Sequence, residues 1–188
     1  MNMRPLIKPL LLSLIVFLTG CFSHEIRHGL TPDQVKENNS IVILSTGAKE
    51  TSFSHPTMLF IRRIEDGKLA GAVDVNTWTT KSNFPDHHGF LHILPFEPGK
   101  YFFTLKSLHP GRLYEEASSV ICFEVRENEV VYVGEVFWEY FGKDFLAISG
   151  YAQIVINDQF DRDVGIFLEK NPSFKLEDIR KRIPGHIQ

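Results

Sequence analysis

Cysteine is almost absent: the 188-residue chain has two, Cys21 and Cys122. A disulfide-stapled scaffold is therefore excluded, and the domain must be held by its core. No uncharged apolar run reaches the about 20 residues that a helix needs to cross a bilayer, so a spanning segment is not expected. Positive charge is in deficit, with 20 Lys and Arg against 23 Asp and Glu. That balance argues against nucleic acid, which asks for a basic footprint. Catalytic signatures are scarce. The chain has no G-x-S-x-G elbow, no Walker A loop and no G-x-G-x-x-G. The adjacent glutamates Glu115-Glu116 face apart on a strand or lie in a loop, so they do not form a glycosidase dyad. No cofactor is expected.

What is present begins at the N-terminus. Arg4 and Lys8 form a short basic region without acids, and Leu10 to Leu18 is apolar except for Ser13. Thr19 and Gly20 then lead into Cys21. That is the layout of a secretory signal peptide. Leu18-Thr19-Gly20-Cys21 resembles the lipobox of bacterial lipoproteins. The resemblance implies cleavage between Gly20 and Cys21, a diacylglyceryl thioether on Cys21 and acylation of the new amino group. Two or three acyl chains hold a protein on a membrane, where one binds only marginally. Among Gram-negative lipoproteins an Asp after the lipidated cysteine resembles an inner-membrane retention signal. Phe22 stands there instead, which implies an outer-membrane address facing the periplasm if the source is Gram-negative.

Removing residues 1–20 takes away Arg4 and Lys8 and leaves 18 cationic against 23 acidic side chains, a formal −5. Electrostatic docking on anionic lipid is not expected from such a chain; the lipid on Cys21 is the membrane partner. With Cys21 acylated, Cys122 has no disulfide partner. Between Ile121 and Phe123 it reads as a small buried hydrophobe rather than a nucleophile.

Residues 21–39 are polar without a sustained period and read as a lipid-anchored tether. A β-sandwich domain is expected over residues 40–157, with a C-terminal helical extension packed on it over 158–188. Strand signals run from Ser40 to Ser45, Thr57 to Ile64, Leu69 to Val75, Gly89 to Phe96, Tyr101 to Leu108, Val120 to Val125, Val130 to Trp138 and Ser149 to Ile156. Asp66-Gly67 predicts a type I′ hairpin, Pro98-Gly99 a type II turn, and Arg126 to Glu129 a further hairpin. About eight short strands separated by turns predict a sandwich or barrel rather than βαβ units. Beyond them, Phe160, Val164, Phe167 and Leu168 share one helix face. Asp158 is the expected N-cap, and Asp161 and Asp163 suit the positive end of the dipole. Leu176, Ile179 and Ile183 predict a second short helix, stopped by Pro184-Gly185.

Three groups of residues invite chemistry. His24-Glu25-Ile26-Arg27-His28 fits H-E-x-x-H, in which two histidines on one helix face ligate zinc and the glutamate is the general base. Its place just after Cys21, with one apolar residue and then Gly29 and Pro32, argues against a docked zincin helix; a zinc-dependent hydrolase is kept as an alternative. Asp86, His87, His88 and His92 form a second cluster. On a strand His88 and His92 would stand about 13 Å apart, too far to share a metal. His87 and His88 are expected in the loop before the strand, and no metal site is assigned. Finally, Trp138 and Tyr140 end a strand. Core packing is the favoured reading, and exposure for stacking on a sugar or docking a partner is the other.

Pro98-Gly99-Lys100-Tyr101 between two strands, followed by Val131-Tyr132-Val133-Gly134-Glu135-Val136 and the Asp158 to Ile183 tail, resembles a group of uncharacterised bacterial envelope lipoproteins. Their domains resemble the transthyretin-like or carboxypeptidase-regulatory-like sandwich. The resemblance spans about residues 40–183. It implies an antiparallel Ig/transthyretin-like sandwich with two short C-terminal helices, and it carries no catalytic residues to transfer. The functional expectation is a non-enzymatic envelope lipoprotein, binding or supporting an envelope protein partner. A small-ligand or glycan-binding module is the other alternative to the zinc hydrolase.

Overall fold

A computed structural model describes residues 30–37, 40–49, 57–75, 81–107, 120–141 and 151–187. The strands are β1 (Ser40–Ala48), β2 (Thr57–Arg63), β3 (Leu69–Asp74), β4 (His88–Phe96), β5 (Gly99–Ser107), β6 (Val120–Val125), β7 (Val130–Phe141) and β8 (Tyr151–Asn157). Helix α1 (Pro32–Glu37) precedes them and helix α2 (Phe160–Lys170) follows. A 3₁₀ turn (Leu176–Asp178) and two short strands, β9 (Ile179–Lys181) and β10 (Gly185–Ile187), complete the chain. One sheet runs β4-β1-β7-β8, with β9 beside β7; the other runs β10-β6-β5-β2-β3. The fold is a mainly β sandwich, as the strand spacing predicts.

The first sheet is mixed rather than antiparallel. Strand β1 pairs antiparallel with β4 but parallel with β7, and β9 is also parallel to β7. The composition of β1 explains its central place. All nine of its residues, SIVILSTGA, are buried, so both of its faces must be covered. Val42 and Leu44 join the core between the sheets, with Leu59, Ile61, Phe96, Tyr101, Phe123, Val133 and Trp138. Ile41 and Ile43 face the other way, into a second core with Val35, Leu91, Tyr132, Val164 and Phe167 beneath the helices. The molecule is thus three layers: helices, mixed sheet, second sheet.

The expected type II turn and one expected hairpin prove to be crossings. Pro98-Gly99 and the Arg126–Glu129 turn each carry the chain from one sheet to the other, because β4 and β7 lie in one and β5 and β6 in the other. Turn chemistry reports that a chain reverses, not which sheet receives it. Asp66-Gly67 does close a β2–β3 hairpin, but only Gly67 has positive φ, at 66°. The turn therefore spans Ile64 to Gly67, closed by Gly67 N–H to Arg63 O at 2.9 Å, and is not type I′.

The second C-terminal helix shrinks to the 3₁₀ turn. Strand β8 covers β7 only from Glu135 onward, which leaves the β7 backbone at Val130–Tyr132 open on that side. Residues 179–181 pair there instead of continuing the helix. Ile179 is buried, while Leu176 is 58% exposed, so the helical spacing was matched without a shared face. Arg182 then spans both sheets: it donates to the Glu124 carbonyl at 2.7 Å and to both Glu129 carboxylate oxygens at 2.7 and 3.1 Å.

The end of the segment read as a tether is docked. Thr31 caps α1 in a capping box, with Thr31 N–H to Gln34 Oε1 at 2.9 Å and Gln34 N–H to Thr31 Oγ at 3.4 Å. Pro32 opens the helix, where its missing N–H costs nothing. Val35 is buried, and Leu30 donates its N–H to Asn171 Oδ1 at 2.8 Å. Asn171 in turn donates through Nδ2 to the Phe167 carbonyl at 2.9 Å. Asn171→Ala is expected to lower unfolding free energy by about 1–3 kcal/mol, because it strips partners from partly and fully buried backbone groups. A urea titration that leaves the midpoint unchanged would show that the latch contributes nothing.

Candidate functional site

Strand β7 carries Glu135 into the middle of the mixed sheet, where it is 1% exposed. Straight alternation from Val131 and Val133 would send Glu135 between the sheets, into the apolar core. A bulge prevents this. Ile43 pairs with Tyr132 and Ser45 with Glu135, so Val133 and Gly134 together oppose Leu44. Gly134 holds φ 98°, a value that side chains with a Cβ rarely adopt. A Cβ there would also stand 2.9 Å from Ile156 Cγ2 and 3.2 Å from the Asn157 carbonyl. The extra residue turns Glu135 to the helix side and returns Val136 and Trp138 to the inter-sheet core.

Under α2, Glu135 meets a set of polar groups that the sequence did not bring together. Arg162 Nη2 donates to Glu135 Oε1 at 2.8 Å, and Arg162 Nε donates to Asp163 Oδ1 at 2.8 Å. Asn157 Nδ2 donates to Glu135 Oε2 at 3.0 Å. Ser45 Oγ and Tyr132 OH donate to Asp163 Oδ2 at 2.5 and 3.1 Å. Tyr132 OH also accepts from the Gln159 N–H at 2.9 Å, fastening the start of α2. His87 brings Nε2 within 2.9 Å of Glu135 Oε1 and Nδ1 within 3.0 Å of Asp86 Oδ1. The first approach lies off the ring N–H axis, so it is an ion-pair contact without an aligned hydrogen bond. The Arg162 guanidinium carbon lies 3.7 Å from the centre of the Phe84 ring, and Phe84 stacks on His87 at 5.1 Å. Gly47 and Gly89, paired across β1 and β4, make this approach feasible, since a Cβ on either would come within 3.0 Å of His87 Nε2.

The electrostatics follow from these contacts. Burial alone would raise the Glu135 carboxyl, but contacts with His87, Asn157 and Arg162 outweigh it and hold it down at about 2. The Glu135 carboxylate raises the His87 imidazole above its ordinary value, against opposing burial and Arg162. At Asp163 burial is the larger effect and raises the carboxyl despite Arg162, Ser45 and Tyr132. The two acids thus differ in direction although both touch Arg162. Glu135 has the His87 imidazole beside it as a second cationic group, whereas the further donors to Asp163, Ser45 and Tyr132, are neutral. Burial and the nearby Asp163 charge raise the Tyr132 phenol. With every carboxylate oxygen engaged, the arrangement binds helix to sheet.

The residues singled out by sequence are dispersed. Gly20, Cys21, His24, Glu25, His28, Glu115 and Glu116 lie outside the described residues. The histidine cluster is split between two faces. His92 is buried toward the second sheet, with Nε2 2.8 Å from Thr46 Oγ, whose hydroxyl also donates to the Asp74 carbonyl. His88 packs edge-on to Phe90 on that same face of β4, while His87 goes to the helix side. Among the described residues no three His, Cys, Asp or Glu side chains group as a metal site. Trp138 is 1% exposed in the inter-sheet core, so it forms no exposed patch; the Tyr140 side chain lies outside the described residues. Cys122 is half-buried and points away from the core that holds Ile121 and Phe123; partial burial raises its thiol. Alternation explains the difference, because neighbours of two core residues on a strand face the other way.

The network had signals in the sequence. An isolated glycine inside the strand run Val-Tyr-Val-Gly-Glu-Val marks a bulge. Asp163 falls on the apolar face of α2, between Phe160 and Val164–Phe167, and an acid there needs a partner.

Comparison with protein-family models, with curated proteins and with solved structures returns no match. Among the described residues no helix is long and apolar enough to cross a membrane.

Arg162→Met should destabilise the fold by about 3–5 kcal/mol, because Glu135 and Asp163 are left as buried charges without their cation. Adding Glu135→Gln should recover part of that loss; a double variant as unstable as the sum of the two single ones would deny the coupling. Stability should also depend on pH at both ends. The depressed Glu135 contributes stability above its ordinary value of 4.5, lost as pH falls toward 2. The raised His87 contributes stability below its ordinary value of 6.5, lost as pH rises through its folded value. In His87→Gln the decline of the urea midpoint on the alkaline side should flatten; a slope identical to the parent's would remove His87 from this account.

Proposed function

We propose that the chain is a lipid-anchored lipoprotein of the bacterial envelope, whose domain binds or supports another envelope component and does not catalyse a reaction. The observation that carries this reading is the run Leu18-Thr19-Gly20-Cys21 behind a basic and then an apolar stretch. In a Gram-negative source, Phe22 after the acylated cysteine favours the outer membrane, facing the periplasm.

The folded domain supports the non-catalytic part through what its polar groups do. An active site keeps titratable groups within reach of a substrate. Here Glu135, Asp163 and Ser45 are at most 1% exposed and bound to one another through Arg162. Their pattern is that of a fastening between layers. An envelope protein is the partner class that suits a tethered β-sandwich, since an edge strand such as β3 can be extended by a strand of a partner.

The test is metabolic labelling with a fatty acid in cells expressing the full chain. Label is expected on the parent, together with a mature N-terminus at Cys21. Cys21→Ala should carry no label and keep residues 1–20. An unlabelled parent, or a mature N-terminus at another residue, would overturn the proposal.

A further inference from the structure

Three large apolar side chains are exposed among the described residues: Ile64 at 44%, Leu69 at 53% and Leu176 at 58%. They are far apart in sequence, yet strand register brings them to one end of the sandwich. Ile64 follows β2 and donates its N–H to the Lys100 carbonyl at the start of β5, and Leu69 pairs with Arg62. The start of β5 pairs with the end of β6, Gly99 with Val125. Arg126 and Glu129, next in the chain, bind Ser40 at the start of β1. Leu176 precedes Ile179, which runs parallel to β7 from Val130, so it projects past the same end.

The N-terminal segment joins the domain beside that surface. Leu30 is tied to Asn171, and the turn that leads from Asn171 through Phe174 carries Leu176. Cys21 stands nine residues before Leu30, and a fully extended chain of that length reaches at most about 30 Å. If the lipid on Cys21 is in the bilayer, the latch to Asn171 keeps this end of the domain near it.

We propose that the end bearing Ile64, Leu69 and Leu176 rests on the membrane in which Cys21 is anchored, with these side chains in the lipid interface. The inference builds on the lipoprotein reading above. The charges around the three tips suit a lipid surface approached without electrostatic attraction. Glu65, Asp66, Lys68, Lys175, Glu177 and Asp178 mix both signs, and Lys68 pairs with Asp66 and Lys175 with Glu177. Isolated apolar side chains on separate turns can enter the interface while the turns' backbones stay in the headgroup region. The other end of the sandwich, where Lys81 is exposed, then points away from the bilayer.

The test uses the full-length acylated protein in vesicles of phosphatidylethanolamine and phosphatidylglycerol, on a Cys122→Ser background. Ile64→Cys, Leu69→Cys, Leu176→Cys and, as control, Lys81→Cys each carry an environment-sensitive fluorophore, and the lipids carry a quencher. Loss of emission is expected at the three tips and not at Lys81. All four sites are exposed, so the variants should keep the parent's circular dichroism. The mass of the Cys21 peptide separates the two ways of failing. If the peptide is acylated and the tips are unquenched, or Lys81 is quenched equally, the orientation is wrong while the anchor stands. If the peptide lacks acyl chains, the lipoprotein reading falls and the orientation with it. Tips that cross-link to one protein in cells yet stay unquenched in vesicles would assign this end to that protein and overturn the membrane contact.

Discussion

Arg162 lies between two carboxylates that have been taken out of water, and the three-layer arrangement depends on it. Glu135 belongs to the sheet and Asp163 to the helix, and each bonds the same guanidinium at 2.8 Å. Removing charges from water costs several kcal/mol per ion after relaxation, so the geometry must be good for the layers to close at all. It is good because every carboxylate oxygen has a donor and because Phe84, itself stacked on His87, packs against the guanidinium. Apolar contacts between α2 and the sheet supply attraction without direction. The ion network supplies direction, since a helix shifted by one turn would part Arg162 from Glu135 and Asp163 from Ser45 and Tyr132.

That network exists only because β7 is bulged. One inserted residue at Val133–Gly134 changes which face every later side chain of the strand occupies. Upstream of it Val131 and Val133 serve the inter-sheet core; downstream Val136 and Trp138 do so, and Glu135 is released to the other side. The same strand offers its first three residues to β9 and the rest of that edge to β8. A long central strand with two short neighbours thereby recruits the C-terminal segment into the sandwich. Arg182, gripping Glu129, passes the chain on to β10 in the second sheet.

The latch at the other terminus has a comparable role. Thr31, Pro32 and Gln34 form a helix start, and Val35 and Leu30 add apolar contact to the helix layer. The segment that leads from Cys21 therefore ends in a defined contact at Asn171.

By itself the sequence determined the strands, because burial of one or both faces imposes a period that is written in every short apolar run. The eight main strands and α2 lie where alternation and helical spacing place them. Turn positions were equally legible. What tertiary structure alone decided is partnership. Pro98-Gly99 and Arg126–Glu129 carry the chain between sheets, residues 179–181 are strand because β7 had an open edge, and His87 and His92 part company across β4. The Thr31 capping box and the lone Gly134 were signals in plain view, but their meaning depended on what lay opposite. Glu135, Arg162 and Asp163 could not be joined from sequence because Glu135 stands 27 positions before Arg162. Their encounter follows from a bulge and a helix docking, both set by packing energies that no local window contains.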